Sequence, residues 1–594
     1  MSKDSIRIGG AAGFWGDSAL ATPQLLAYPE LDYLVFDYLA ETTMAILQRA
    51  RMKDAKLGYA TDFVTAVIKP HLAECMQRGI RLIANAGGLN PLGCRDAILA
   101  AARELGCDPK VAVVLGDDLL PSVETFRAQG VREMQQGTPL PARVLSANAY
   151  LGAQPIAAAL DAGADIVITG RCVDSAVTLA AAAHSFAWGW QDWDKLAQGS
   201  LAGHLLECGP QATGGLYTDW EQVPDWANIG YPVVEMRADG SFDLTKPAGT
   251  GGLVCVGSVA EQMLYEIGDP ASYLLPDVIC DFRSVRMESV GPERVRVSGA
   301  AGRPPTARYK VSATWQDGYQ INIVGAIRGI RAREKAQKTA DALIERTRKQ
   351  MDAAGFGDYS GLRVEMLGCE SHYGPHARPS ETREIVLRIS ARHADAKALG
   401  FLQKEVASAG TSMGPGTRGH FGGRADIQSV LKLYSFLVDK SAVPVDVICG
   451  DKTQRLAIAA ECGAASAPPD VPVVPAACSE AGDDPVDVPL VRIALARSGD
   501  KGDDANIGVI ARDPRYLPWL RAELTAERVG AYFAHLVDGP VERFDLPGVH
   551  ALNFLLHAAL GGGGTASLRS DPLGKAYAQI LLEMPVRVPR RVLD

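Results

Sequence analysis

Along the first 185 residues, short apolar runs alternate with longer segments of helical period. The runs at 6–8, 34–36, 80–85, 111–115 and 165–169 are apolar or β-branched with little polar alternation. That is the pattern of strands buried on both faces of a parallel sheet. The stretches between them carry apolar residues at helical spacing, one opening at Thr22-Pro23 with proline in the first turn. Strand–helix alternation of this kind predicts a large N-terminal parallel-sheet α/β layer. From about 283 the period changes. Alternating or β-rich runs at 294–298, 308–315 and 319–324 precede a charged helix at 332–354. Strands at 362–367 and 384–390 and a helix at 394–409 follow. This predicts an α+β insert with an antiparallel sheet. A stretch rich in proline and acid at 463–489 predicts a semi-extended linker. Beyond it, strands at 490–496 and 505–510 with helices at 517–524 and 526–536 predict a small ferredoxin-like α+β domain.

A chain of 594 residues exceeds what one core holds, roughly 250–300 residues. The expected division is therefore 1–284 as the α/β core and 285–410 as the insert or second lobe. Residues 411–462 complete the core with a glycine-rich loop and helices, 463–489 form the linker and 490–594 the small domain. Hydrophobic residues make up 47% of the chain, so large cores can form, and a net charge of −9 argues against nucleic acid as a main partner. The 11 cysteines include no Cys-x-x-Cys, which removes the usual zinc-ribbon and disulfide-framework readings. Neither an apolar leader core nor a membrane-length apolar run is present, so a soluble cytoplasmic protein is expected.

Chemistry-bearing residues gather where the predicted strands end: Asp17, Asn85, Asn90, Asp117, Arg171 and Asp174. Open α/β sheets bind ligands at the carboxyl ends of their strands, and helix N-termini favour anions. Arg171 and Asp174 either face a ligand there or tie down the turn as an ion pair, while Asp174 or Ser175 is the expected cap of the following helix. The glycines at 9–16 resemble a dinucleotide fingerprint, but Ile8 stands at the first glycine and Phe14 and Trp15 follow where a helix should begin. Glu207 is a candidate carboxylate base, Cys208 a weaker nucleophile, and Gln211 lies in the loop after them. His372 and His376 are four apart but separated by Gly374 and Pro375, which breaks a zincin-type pair. Arg418 and His420 fall in a glycine-dense loop suited to gripping carboxylate or phosphate oxygens. Arg497, Asp500, Lys501 and Asn506 form a charged hairpin too polar for an ordinary tight turn.

Four stretches carry a family resemblance: Ser146-Ala-Asn-Ala-Tyr-Leu-Gly, Asp165-Ile-Val-Ile-Thr-Gly-Arg with Asp174-Ser175, Asn85-Ala-Gly-Gly-Leu-Asn90-Pro, and Arg497-Ser-Gly-Asp-Lys-Gly-Asp-Asp-Ala-Asn506-Ile-Gly. They resemble the acyclic terpene utilisation A family and its small C-terminal domain. The resemblance implies catabolism of branched acyl-CoA compounds such as citronellol- or geraniol-derived acids. It also implies an association in the pathway with biotin-dependent acyl-CoA carboxylases, enoyl-CoA hydratases and acyl-CoA dehydrogenases. It carries over no catalytic residue. The reading of the residues themselves is a lyase or hydratase acting on a branched 3-hydroxy- or enoyl-CoA, with Asp174 or Glu207 as base. Arg171, Asn85 and glycine-loop N–H groups would hold the carboxylate or enolate, and Arg497 and Lys501 the CoA phosphates. Asp17, Asn90, Asn148, Ser175, Gln211, Arg418, His420, Asp500 and Asn506 complete the expected binding set. No protein metal site and no cofactor beyond the substrate's CoA is expected, with a divalent metal left open. The expected partners are the acyl-CoA, a second copy of the chain and a pathway carboxylase. The alternative is a non-catalytic accessory or assembly protein for such a carboxylase.

Overall fold

A computed structural model describes residues 4–378, 381–418, 423–458, 467–477 and 484–593. The apolar runs form β1 (Ser5–Gly10), β2 (Tyr33–Phe36), β3 (Arg81–Ala84) and β4 (Val111–Leu115), then β5 (Ser146–Ala149) and β6 (Ile166–Thr169). Five of them lie side by side in the order β1-β2-β3-β6-β4, all parallel. Every residue of β2 and β6 is buried. Ile8, Ile83 and Val114 face one apolar layer, and Leu34, Leu82 and Ile168 the other. Non-alternating apolar runs are what such double burial requires.

Antiparallel strands extend this sheet to eleven among the described residues. Arg286–Gly291 and Arg294–Ser298 belong here, beyond Phe242–Thr245, and so continue the large sheet instead of opening the second one. Val445–Cys449 returns from far along the chain to pair with β4. β5 leaves this sheet and pairs with the second. There, the two runs expected at 308–315 and 319–324 are one strand, Arg308–Arg328, whose register shifts between Gln316 and Tyr319. A bulge lets a strand bend without ending. Helices Ala332–Ala353 and Ala396–Ser412 cover one face of this sheet through Leu343 and Leu402, against Ile323 and Ile389.

The small domain is a four-stranded antiparallel sheet in the order Ala494–Lys501, Asp504–Ala511, Ala551–Leu556, Val541–Leu546. Helices Leu517–Glu523 and Ala526–Tyr532 lie between its two hairpins. Its first strand starts later than the apolar run suggests, because Leu490–Arg492 is a 3₁₀ turn. That strand then runs on through the charged segment. The turn is only Gly502-Asp503, with Gly502 at φ 71°, and the polar groups lie on the paired strands. The end of the proline-rich stretch is also a strand: Pro485–Pro489 pairs with Pro585–Pro589. Leu495, Ile510 and Leu546 of the small domain pack into the core of the large one. No helix among the described residues is long and apolar enough to cross a membrane.

Candidate active site at the strand ends

The parallel strands deliver their polar followers to one place. Gly170 follows β6, and a side chain there would meet the Asp117 carboxylate at 2.4 Å, so glycine lets the strand end close onto Asp117. One oxygen of Asp117 accepts from the Arg171 amide and from Asn148 Nδ2, each at 2.8 Å, joining the ends of β4, β5 and β6. Burial raises the Asp117 carboxyl to about 6, against these two bonds. The Arg171 side chain is only 4% exposed and donates to Asp174 Oδ1 at 2.7 Å. Its guanidinium carbon lies 4.2 Å from the centre of the Tyr150 ring, and Lys310 approaches the same ring at 4.9 Å. Tyr150 hydroxyl donates to Glu41. Burial opposes ionisation of Glu41, but Lys310, Arg171 and the tyrosine outweigh it and hold the carboxyl at about 2. Asp37 goes the other way. Burial and the nearby Asp174 and Glu207 carboxylates push it well above the usual range, against Arg171 and Asn85.

A second group joins from helix Trp193–Leu206. His204 lies on its last turn, and Glu207 follows the helix, so the three-residue spacing brings both to one face. His204 Nδ1 and Glu207 Oε1 are 2.8 Å apart, and Nε2 is 3.1 Å from the Met263 carbonyl. A carbonyl only accepts, so Nε2 carries a hydrogen. The contact between Nδ1 and the carboxyl then requires one proton shared by the pair. Burial raises Glu207, against the pull of His204, while Glu207 overcomes burial to raise His204. Lys501 of the small domain completes the group. Its ammonium lies 5.8 Å from the Tyr273 ring, and its charge favours ionised Glu207 and Glu266. Beside it, Lys575 donates to Glu266 at 2.9 Å and to Asp500 at 3.0 Å. Burial and Glu266 raise Asp500 to about 6 against Lys575. Glu41 and Asp174 keep about a third of their side-chain surface, at 33% and 38%, so the cluster opens onto solvent.

The acyclic terpene utilisation family model matches residues 6–449, through both sheets. The chain belongs to the acyclic terpene utilisation family AtuA. Residues 488–587 match the AtuA ferredoxin-like domain. No curated protein and no solved structure matches the chain.

In this AtuA-family chain the expected site residues divide by what they touch. Arg171, Asp174, Glu207, Asp500 and Lys501 meet in the charged cluster, with Asn148 bonded to Asp117 behind it. The arginine–aspartate pair ties the turn and also faces the cluster. Neither Asp174 nor Ser175 caps the next helix: Ser175 has helical φ and ψ and no capping bond, and instead packs against Gly203. Asn85 is used up within the fold, accepting from the Tyr38 amide at 2.7 Å and donating to Asp37, so it holds Asp37 and not an enolate. Asn90 caps helix Pro91–Glu104 and donates to the Lys56 and Leu57 carbonyls. Asp17 closes its own loop by accepting from Gly13, Ser18 and Tyr231.

Arg497 is buried and committed to Glu261, Gln211 and the Gly215 carbonyl, leaving nothing for CoA phosphates and using Gln211 as well. Asn506 is buried between Leu264, Glu266 and Asn553. Arg418 pairs with Ala326 on the long strand, whereas Asn148 pairs with Ser312. Fourteen residues separate those positions, roughly 45 Å of extended strand, so Arg418 is remote from the cluster. His420 lies outside the described residues. Burial raises the Cys208 thiol well above its usual value, which removes it as a thiolate. His376 stacks on Tyr532 at 3.9 Å, and no group of three or more metal-ligating side chains occurs among the described residues.

Asp37, Glu41, Tyr150, Lys310, His204, Glu266 and Lys575 are the members that site reasoning on the sequence missed. Asp37 directly follows β2, the same signal that marks Arg171, Glu41 opens the helix after it, and His204 stands one helical turn before Glu207. Lys310 and Lys575 come from distant elements and carry no local signal.

Proposed function

We propose that this chain is an acid/base lyase or hydratase acting on a branched enoyl- or 3-hydroxyacyl-CoA, within the acyclic terpene utilisation its family names. The observation that carries the reading is the one-proton His204–Glu207 pair, coupled electrostatically to Asp174 and Lys501. In hydration the pair takes a proton from water as oxygen bonds to Cβ. The π electrons move to the thioester oxygen, and the same proton returns to Cα. In the lyase direction the pair takes the 3-hydroxyl proton, the Cα–Cβ bond breaks, and the resulting enolate is protonated at Cα. Both routes need a base that becomes an acid near neutral pH and a cation facing the enolate oxygen. Lys501 is the cation whose charge acts on the pair, and Arg171 holds Asp174 beside it. Asp37, with its carboxyl pushed up, is a second proton donor.

The test is conversion of branched enoyl-CoA and 3-hydroxyacyl-CoA by the purified chain, followed by loss of conjugated-thioester absorbance and by product mass. Turnover abolished by Glu207→Gln supports the reading. An inert chain that captures a pathway carboxylase, with Glu207→Gln indifferent, would establish the accessory role instead.

A further inference from the structure

Beside the charged cluster, on the other side of Tyr265 and Lys575, lies a cavity of about 430 Å³ at the junction of the two domains. That volume falls in the range of small-molecule sites, roughly 300–1,000 Å³. Leu216, Trp220 and Trp226 form its outer wall and are 68%, 55% and 58% exposed. The two indoles are 5.9 Å apart and inclined at 57°, an open aromatic corner and not a closed stack. Large apolar side chains left this exposed around a concavity mark a ligand or partner surface.

The polar groups in the wall decide the ligand's character. Arg497 is committed to Glu261, Gln211 and Gly215, and Lys575 to Glu266, Asp500 and Tyr265. Neither cation is left over for a phosphate or carboxylate. An uncharged apolar group is the occupant this wall favours. Its neighbours set the direction in which that group enters. Lys575 joins Asp500, and the next residue, Lys501, lies 5.8 Å from the Tyr273 ring, which packs against His204. Along the chain, the segment from Glu207 to Gly215 runs from the catalytic pair to the cavity wall.

We infer that this cavity receives the hydrocarbon tail of the acyl substrate, packed against Trp220 and Trp226, with the thioester at the Tyr265 and Lys575 side, toward Glu207 and Lys501. The inference rests on the acid/base reading for the position of the thioester, but its own content is binding.

The test is therefore binding without turnover. The intact chain is titrated with saturated acyl thioesters of N-acetylcysteamine, from acetyl to decanoyl, followed by calorimetry and by indole fluorescence. These probes lack the Cα=Cβ bond and the 3-hydroxyl, so they bind without reacting. Affinity should rise about threefold to fourfold per methylene until the cavity is filled. Trp226→Ala, at an exposed position that folding tolerates, should flatten that dependence, and Trp220→Ala should do the same. Affinity independent of chain length overturns the inference, as does an unchanged slope in both variants. Fluorescence change and competition by adenosine 3′,5′-bisphosphate would overturn it too, assigning the corner to the CoA nucleotide. Failure of the acid/base reading shows separately, as absence of turnover despite chain-length-dependent binding.

Discussion

The strand-end cluster and the small-domain hairpin are built from the same residue types, and they use them oppositely. In the hairpin, Arg497 and Asn506 are fully answered. Arg497 meets Glu261, Gln211 and Gly215, and Asn506 meets a carbonyl, an amide and Asn553. At the strand ends Asp37, Glu41, Asp174 and Glu207 crowd around Arg171, Lys310 and Lys501. The result is Glu41 held at about 2, with Asp37 and Glu207 raised. A saturated network fixes geometry. A crowded one leaves protons whose positions are nearly balanced, which is what proton transfer needs. The difference sets Arg497 and Asn506, which fix the hairpin on the large domain, apart from the strand ends, whose crowding suits the proposed acid/base chemistry.

The largest expected effect breaks the saturated side. Arg497→Met leaves Glu261, whose side chain is wholly buried, without its cation. Breaking such a pair costs about 3–5 kcal/mol, whereas replacing both members by apolar residues is often near neutral. Urea midpoints should fall sharply in Arg497→Met and recover most of the way in Glu261→Met/Arg497→Met. Recovery absent in the double variant would mean that Arg497 does more than anchor. Next comes Arg171→Met. Its partner Asp174 keeps 38% of its surface and can be solvated, so the stability loss should be smaller than for Arg497. Loss of a preorganised cation should lower turnover by about 10²–10³-fold. Equal stability losses with unchanged turnover would erase the distinction between the two regions.

The fold was legible where burial dictates residue choice. The runs that became β2, β4 and β6 lack polar alternation because both of their faces are covered. Strands ending in Asp117 and Arg171 pointed to one edge of the sheet. What stayed hidden depends on long-range pairing. That Val445–Cys449 returns to β4, or that Lys310 reaches Glu41 from the second sheet, leaves no local periodicity. The hairpin misled for a related reason. Its charge density suggests a ligand loop, yet Arg497 and Asn506 are spent on the neighbouring domain, and only Asp500 and Lys501 reach the cluster.

The pH dependence of stability sharpens the comparison further. Asp117 has a folded carboxyl at about 6, above the unfolded value near 4, so the folded state holds the extra proton between them. Its contribution is fully present below pH 4 and is lost as pH rises through 6. Asp117→Asn keeps an acceptor for the Arg171 amide but cannot ionise. Measured as a difference in urea midpoints, the variant should gain on the parent by at most about 3 kcal/mol between pH 4 and pH 6.5. A difference flat with pH would place the proton elsewhere.

The smallest effect comes from the adjacent acid. Asp118 carries the same charge one residue along, but it is exposed and accepts from the Leu120 amide at 3.1 Å, an ordinary turn-closing bond. Asp118→Ala should cost about 0.5–1 kcal/mol, the worth of such a cap. Turnover should be unchanged. A loss as large as that expected of Arg497→Met would mean that Asp118 does more than close its turn. A pH slope set by Asp117 beside a small turn-closing cost at Asp118 is what the contrast between a crowded interior and a solvated rim demands of neighbours in sequence.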